Sequence, residues 1–119
     1  MASDAVAFLQ ELGRRGHEPL WGKVRGSARL DMVDGDRIDR WLISIQDGDI
    51  AVSHEGGDAA CTIRGDRVLF DRLCRGEENA MAAVLRGALV CTGDLELMFA
   101  IQRIFPGPSG VGLTNEARR

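Results

Sequence analysis

The amino-acid sequence predicts an α+β fold, with a five-stranded, mostly antiparallel sheet covered by helices on one face. Apolar and polar residues alternate over residues 27–32, which is the two-residue period of a strand that buries one face. The dipeptide Asp47-Gly48 is typical of a tight hairpin turn. After Asp66 the apolar residues recur at helical spacing. Strands that come first and helices that follow favour a sandwich in which helices cover one side of the sheet.

A first amphipathic helix is predicted near the N-terminus, with Ser3 as its N-cap. One side of this helix carries apolar residues at positions i, i+3, i+4 and i+7, namely Ala5, Phe8, Leu9 and Leu12. The helix is expected to end near Gly13 or Gly16, because glycine is preferred where a helix stops. Residues from His17 to Gly22 then form a connecting loop.

Four strands are predicted to follow as an antiparallel meander. The turns between them are expected at Asp34-Gly35, at Asp47-Gly48 and over Glu55 to Asp58. The residues that share one face of each strand are, in chain order, Ala28, Leu30 and Met32; Trp41, Ile43 and Ile45; Ile50, Val52 and His54; and Cys61 and Ile63.

Two short helices are predicted after the fourth strand. Asp66 is placed to cap the first, which ends at Gly76, and Asn79 is placed to cap the second, Ala80 to Arg86, which ends at Gly87. Their apolar faces carry Leu69, Phe70, Leu73 and Cys74 in the first helix, and Met81, Val84 and Leu85 in the second.

A short fifth strand, Leu89 to Thr92, leads to a last helix from Leu95 to Phe105, capped by Asp94 and ended by Pro106. We therefore predict a single domain over residues 1–106. Residues 107–119 are rich in glycine and polar side chains, and we expect them to form a flexible C-terminal tail.

Composition narrows the classes of function. The 119 residues include 15 basic and 18 acidic side chains, which give a formal net charge of -3. The sequence contains no basic stripe of the kind that binds nucleic acid and no basic amphipathic helix of the kind that binds a membrane surface. We therefore expect no signal peptide, and no apolar run is long enough to cross a bilayer. Three widely spaced cysteines fit a reducing compartment, so we expect a cytoplasmic protein.

The sequence predicts no catalytic residue, metal site or cofactor. His17 and His54 are expected to be solvated or locally hydrogen-bonded, and most of the aspartates lie at turns and helix caps, where they bond the local backbone. The cysteines lack metal-ligand spacing. A nucleophilic pair of Cys61 with His54 across adjacent strands and a paired-carboxylate site stay open as less favoured alternatives.

The last helix is unusually apolar, because only Glu96, Gln102 and Arg103 are polar in the stretch from Leu95 to Phe105. It therefore has more apolar surface than one contact with a sheet consumes. Three outcomes are consistent with this pattern: full burial in the core, an oligomer interface, or the wall of a lipid cavity. Methionines suit a cavity for varied ligands and a plain core equally well.

Four ordered segments resemble the sterol carrier protein 2 (SCP2) sterol-binding domain family. They are Trp41 to Val52 (WLISIQDGDIAV), Ala60 to Asp66 (ACTIRGD), Leu73 to Ala80 (LCRGEENA) and Leu85 to Leu97 (LRGALVCTGDLEL). The resemblance covers roughly residues 24 to 106 and is nearest to the short, single-domain bacterial members. It implies a sheet and helices that enclose a hydrophobic tunnel, with binding or transfer of sterols, fatty acids, acyl-CoA or other lipids, and no catalytic residues.

For such a tunnel, the faces and periods of the elements select ten candidate wall residues: Leu30, Met32, Ile43, Phe70, Leu73, Met81, Leu85, Met98, Phe99 and Ile101. The expected partner is a lipid or another hydrophobic small molecule, with no nucleic acid and no stable membrane insertion. The chain is expected to be a monomer or a homodimer. The alternative function is a structural or interaction module with the same fold and a closed core.

Overall fold

The computed structural model of the protein describes residues 4–54 and 57–105. In chain order the elements are α1 (Asp4–Arg15), a 3₁₀ turn (Pro19–Trp21), β1 (Arg25–Asp34), β2 (Arg37–Gln46), β3 (Asp49–His54), β4 (Cys61–Asp66), α2 (Arg67–Cys74), α3 (Ala80–Leu85), β5 (Val90–Gly93) and α4 (Leu95–Gln102). The proposed cap Ser3, the first two residues of the turn at 55–58, Pro106 and the tail 107–119 lie outside the described residues.

The sheet has five strands in the order β3-β2-β1-β4-β5. Three of the neighbouring pairs are antiparallel, whereas β1 and β4 are parallel, with Ala28 opposite Cys61. The predicted four-strand meander is therefore wrong in its last step, because β4 lies beside β1 and not beside β3. In this place β4 forms hydrogen bonds with the edge of the ten-residue strand β1 that β2 leaves free. Cys61 and Ile63 of β4 are thereby buried in the core.

One face of this sheet forms the core, as the alternating pattern predicts. Leu30 on β1 lies opposite Trp41 on β2 and opposite Ile63 on β4, and all three side chains are buried. Helices α1, α2 and α4 pack against the same layer and contribute, among others, Leu9, Phe70 and Ile101 to a continuous hydrophobic cluster. The α+β class with helices over a five-stranded sheet is confirmed.

Most of the predicted helix signals are confirmed, with three corrections. The Asn79 side chain accepts a hydrogen bond from the amide of Ala82 at 2.9 Å, as expected of an N-cap. Asp66 occupies the N-cap position of α2, but its side chain accepts no capping bond among the described residues. Helix α4 ends at Gln102 and not at Phe105, because the chain tightens into i→i−3 bonds from Ile104 and Phe105.

The third correction concerns the buried face of α3. This helix buries Ala80 and Ala83, whereas the predicted face of Met81, Val84 and Leu85 is half-buried or exposed. The carbonyl of Ala83 accepts bonds from the amides of both Ala88 and Leu89, so the chain doubles back tightly over this side of the helix. Small alanine side chains permit that close approach, and Leu89 fills the core position instead.

Candidate functional site

Helix α4 divides its apolar residues between the core and the surface. Asp94 caps the helix by accepting a hydrogen bond from the amide of Leu97 at 3.2 Å. Leu97, Met98 and Ile101 are buried on the side that faces β1 and β4. Leu95 and Phe99 lie on the outward side, where 56% and 43% of their surfaces are exposed. Helix α4 therefore has more apolar surface than its packing against the sheet buries.

The side chain of Trp21 is hydrogen-bonded to the C-terminal part of α4. It is fully buried, and its indole Nε1 donates a hydrogen bond to the carbonyl of Ala100 at 2.8 Å. Carbonyls in the last turn of a helix lack partners within the helix, so this bond satisfies one of them. The 3₁₀ turn that holds Trp21 is thereby tied to a helix almost eighty residues later in the chain.

A groove of about 700 Å³ runs between α4 and the segment that leads into β1. This volume lies within the usual range for ligand sites. The residues that line the groove are Lys23, Val24, Arg25, Asp94, Glu96, Leu97, Phe99, Ala100, Gln102 and Arg103. At Gly26, a Cβ atom would lie only 3.1 Å from Leu97 Cδ2, so glycine permits β1 and α4 to approach closely here.

The charged residues of the groove differ in whether they are paired. Arg25 forms a hydrogen-bonded ion pair with Asp47 at 2.7 Å, which raises the pKa of Arg25 and lowers that of Asp47. The carboxylate of Asp94 is engaged as the cap of α4. Lys23 and Arg103 form no ion pair with any residue that the structure describes. The groove therefore combines a few apolar side chains with two cations that form no ion pair in the described chain and with the carboxylates of Asp94 and Glu96.

The ten candidate wall residues fall into three environments. Leu30, Met32, Ile43, Phe70, Leu73, Met98 and Ile101 are buried in the core beneath the helices. Met81 is half-buried on α3, and Leu85 is 81% exposed at the end of that helix. Phe99 is the one member of the set that lines the groove, next to the buried pair Met98 and Ile101.

Of the predicted wall residues, Phe99 on α4 lines this groove, whereas no residue of the opposite wall was predicted. Lys23 and Val24 carry no periodic signal, because they lie in the short link between the 3₁₀ turn and β1, and Arg25 is the first residue of β1. A clue was available in Lys23, the single lysine of the chain, but a lone charge does not indicate its partners. Only the fold brings this link next to α4.

Both histidines are hydrogen-bonded locally, which confirms the expectation from the sequence. His17 Nδ1 lies 3.0 Å from Asp49 Oδ1. His54 Nε2 bonds Asp39, and its ring stacks on the indole of Trp41 with 4.3 Å between the ring centroids. Trp41 Nε1 donates to the other oxygen of the same Asp39 at 3.0 Å. Each histidine is therefore hydrogen-bonded to an aspartate of β2 or β3.

The pairing of Cys61 with His54 is excluded by the strand order. His54 ends the edge strand β3, and Cys61 begins β4, which is three positions away in the sheet, roughly 14 Å at the usual spacing between strands. Burial raises the pKa of Cys61 to about 11 and that of Cys74 to about 12, so both stay protonated near neutral pH. Within the described ranges, no group of three or more His, Cys, Asp and Glu side chains could hold a metal.

We expect all three thiols to react slowly with iodoacetamide in the folded protein at pH 8, because the thiolate is the reactive form. An unfolded thiol ionises near 9.0, whereas folded Cys61 stays protonated up to about 11, so stability should fall as the pH rises through this interval. Mass spectrometry after alkylation, with and without denaturant, measures the difference. Equal labelling in both conditions would contradict this account of burial.

None of the helices in the described part of the chain is long and apolar enough to cross a bilayer. Comparison with curated proteins gave no match. Several solved structures, in contrast, share the fold. The sterol carrier protein domain 2 of Helicoverpa armigera superposes with a TM-score of 0.70 at 20% identity, covering 87% of this chain and 89% of that one.

Two further structures extend the comparison. Sterol carrier protein 2 of Aedes aegypti, solved in complex with palmitate, gives a TM-score of 0.67 at 15% identity over 87% of this chain and 96% of that one. Sterol carrier protein 2 of Yarrowia lipolytica, in its apo form, gives 0.63 at 17% identity over 81% and 92%. The sequence itself matches the SCP-2 sterol transfer family over residues 9–106. With most of its length matched, this chain belongs to the SCP-2 sterol transfer family.

Proposed function

We propose that this protein binds and carries a hydrophobic ligand, such as a fatty acid, an acyl-CoA or a sterol-like lipid, without catalysing a reaction. The observation that carries the proposal is the groove of about 700 Å³ along α4, whose apolar lining residues Leu97 and Phe99 adjoin the core, since Leu97 itself belongs to the buried hydrophobic cluster. The palmitate complex of the Aedes aegypti neighbour supports a ligand of this class. Each buried CH₂ group of an acyl chain contributes roughly 0.8 kcal/mol, so apolar burial alone is a sufficient driving force.

The acyl chain would enter beneath α4, toward the candidate wall residues of the core. In the structure these core residues are buried, and Leu97 of α4 packs close to Gly26 of β1. A small displacement of α4 away from β1 opens this path, and the flexible side chains of Met32 and Met98 can then rearrange around ligands of different shape. The remaining proposed wall is formed by Leu30, Ile43, Phe70, Leu73 and Ile101, with Phe99 at the mouth and Met81 and Leu85 at the periphery.

The surroundings of the histidines and of the buried thiols fit a binding protein better than an enzyme. Each histidine is held by a neighbouring aspartate at the β2–β3 edge, away from the groove. The thiols of Cys61 and Cys74 are protonated because burial raises their pKa values. We also propose a cytoplasmic location, since the three described cysteines are all free thiols, as expected in a reducing compartment.

The alternative function, an interaction module with a closed core, is favoured by one observation. Leu95 and Phe99 leave apolar surface on the outward side of α4 that a second protein molecule could cover. Sedimentation of the purified chain over a range of concentrations distinguishes the two functions. A stable dimer without lipid binding would replace the carrier proposal with this one.

Displacement of a fluorescent fatty acid by palmitate tests the carrier proposal directly. We expect saturable displacement by the wild-type chain, weakened about tenfold by Ala100→Phe, because a benzyl group in the groove excludes about two CH₂ groups of ligand. Ala7→Phe is the matched control, since Ala7 is an exposed alanine on α1. A wild-type chain that binds no fluorescent fatty acid would refute the proposal.

A further inference from the structure

The groove along α4 contains charges of both signs that have no partner in the described chain. Asp94 is engaged as the cap of α4, and the guanidinium of Arg25 is already held in an ion pair. Lys23, Glu96 and Arg103 also line the groove, and none of the three forms an ion pair with any described residue. The groove therefore presents two cations and one carboxylate to the molecule that occupies it.

Three of the lining residues follow one another along one side of α4. Glu96, Phe99 and Arg103 are separated by three and then four positions, which places them in a row on a helix. Arg103 directly follows the last residue of α4 and keeps a helical φ of -68°, so it continues this row. Glu96 and Arg103 are two turns apart, roughly 10 Å along the axis at 1.5 Å per residue. The partly exposed ring of Phe99 lies between them.

This row has complementary groups for both halves of a zwitterion. A carboxylate and the face of an aromatic ring both attract a cation, and a quaternary ammonium is a preferred partner of such a ring. A guanidinium and an ammonium group bind a carboxylate or a phosphate. The carboxylate of a free fatty acid would pair with Lys23 and Arg103, but it would lie near the like charge of Glu96. The hydroxyl of a sterol would leave all three charges unpaired.

We infer that the groove selects a single-chain lipid with a zwitterionic headgroup, which carries a quaternary ammonium next to an anionic group. The inference names the ligand class of the proposed carrier, so it rests on the proposed function. The ammonium lies between the carboxylate of Glu96 and the ring of Phe99, and the anionic group meets Lys23 and Arg103. The acyl chain then follows Leu97 toward the core. Long-chain acylcarnitines, with a carboxylate, and lysophosphatidylcholines, with a phosphate, both have this chemistry.

The helix dipole offers a purely structural explanation for two of these charges. Glu96 lies in the first turn of α4 and Arg103 at its end, where each sign is stabilising. The dipole does not account for Lys23, which belongs to another segment, or for the exposed ring of Phe99. A structural role predicts that loss of the Glu96 charge lowers stability and leaves the relative affinities for different lipids unchanged.

Isothermal titration calorimetry tests the inference with three lipids that share a palmitoyl chain: palmitate, palmitoylcarnitine and palmitoyl lysophosphatidylcholine. Each is used below the concentration at which it forms micelles. The wild-type chain should bind the better of the two zwitterionic lipids at least about fivefold more tightly than palmitate, because the ammonium is attracted to Glu96 and Phe99. Tighter binding of palmitoylcarnitine identifies a carboxylate as the anionic group, and tighter binding of the lysophospholipid identifies a phosphate.

Glu96→Gln separates the zwitterionic from the anionic ligand. It should weaken binding of palmitoylcarnitine about threefold and tighten binding of palmitate about twofold, because a neutral amide neither attracts the ammonium nor repels the carboxylate. Loss of folding cannot produce changes of opposite sign. Asp36→Asn removes an exposed carboxylate from the turn between β1 and β2, and this matched control should leave both affinities unchanged.

Two further variants test the ring and the cations. Phe99→Leu keeps an apolar contact but has no aromatic face, so it should weaken palmitoylcarnitine about threefold and leave palmitate nearly unchanged. Lys23→Gln/Arg103→Gln should weaken both lipids by a similar factor of about fivefold, because each contains an anionic group. Arg64→Gln is the control for this pair, since it removes an exposed cation of β4 that forms no ion pair in the described chain.

Three outcomes would overturn the inference: palmitate bound as tightly as the zwitterionic lipids by the wild-type chain, a Glu96→Gln effect of the same sign on palmitate and palmitoylcarnitine, or equal effects of Glu96→Gln and Asp36→Asn. The first of these would leave the carrier function intact, because palmitate still binds. A chain that binds none of the three lipids would refute the carrier function as well.

Discussion

Replacing Trp21 with alanine should lower the free energy of unfolding by about 3–5 kcal/mol, the usual cost of removing a large aromatic side chain from a core. Trp21 is fully buried, and the variant also leaves the carbonyl of Ala100 without its indole donor. Urea denaturation measures the loss, and Trp41, the other tryptophan of the chain, still reports unfolding by fluorescence. A loss below about 1 kcal/mol would contradict the role assigned to Trp21.

Trp21→Phe separates packing from hydrogen bonding at this site. Phenylalanine retains most of the apolar contact but has no donor, so we expect a smaller loss of about 1–3 kcal/mol. Because the lost bond is made to α4, hydrogen exchange should accelerate in the amides of α4 before it does in those of β1 and β2. Uniform acceleration over the whole sheet would mean that Trp21 stabilises the fold generally and does not specifically hold α4.

Gly93→Ala should be the most damaging of the glycine substitutions, with a loss of about 3 kcal/mol or more. Gly93 has a φ of +95°, and a Cβ atom added to it would lie 2.2 Å from the carbonyl oxygen of Ala60. That oxygen accepts the amide hydrogen of Asp94 at 2.8 Å, so the clash would disturb the start of α4 as well as the β4–β5 pairing. Thermal and urea denaturation give the measurement.

Gly35→Ala is the matched control for Gly93→Ala. Gly35 also has a positive φ, +64°, but nothing lies within 4 Å of an added Cβ atom. This variant therefore isolates the cost of the backbone conformation, about 1 kcal/mol, from the cost of the clash. Equal losses in the two variants would show that the contact with Ala60 is not a real constraint.

Much of the fold was predictable because its signals are local. The two-residue period predicts the buried face of β1 and β2, and Asp47-Gly48 predicts the hairpin between β2 and β3. Both signals depend on residues that are close in the chain. The caps Asn79 and Asp94 were predicted for the same reason. The ordered motifs then indicated the family that the match over residues 9–106 shows.

The errors arose where pairing depends on the rest of the molecule. A period of two shows that β4 is a strand but not which strand edge it pairs with, and the parallel contact with β1 was missed. The short helix α3 buries its alanines and not its larger residues, because a close approach to Leu89 and Ala88 decides its orientation. Leu85, selected by helical spacing alone, is consequently exposed.

The class of fold, the family and the unusually apolar last helix can all be predicted from the order of the residues. The apolar excess between Leu95 and Phe105 was visible as a pattern in one short segment. The division of that excess depends on packing, which buries Leu97, Met98 and Ile101 and leaves Leu95 and Phe99 exposed. The fold also brings Lys23 and Arg103, eighty positions apart, to the same groove, where the bond from Trp21 to Ala100 holds the two segments together. Local periodicity carries no information about such contacts, which arise from the packing of the whole chain.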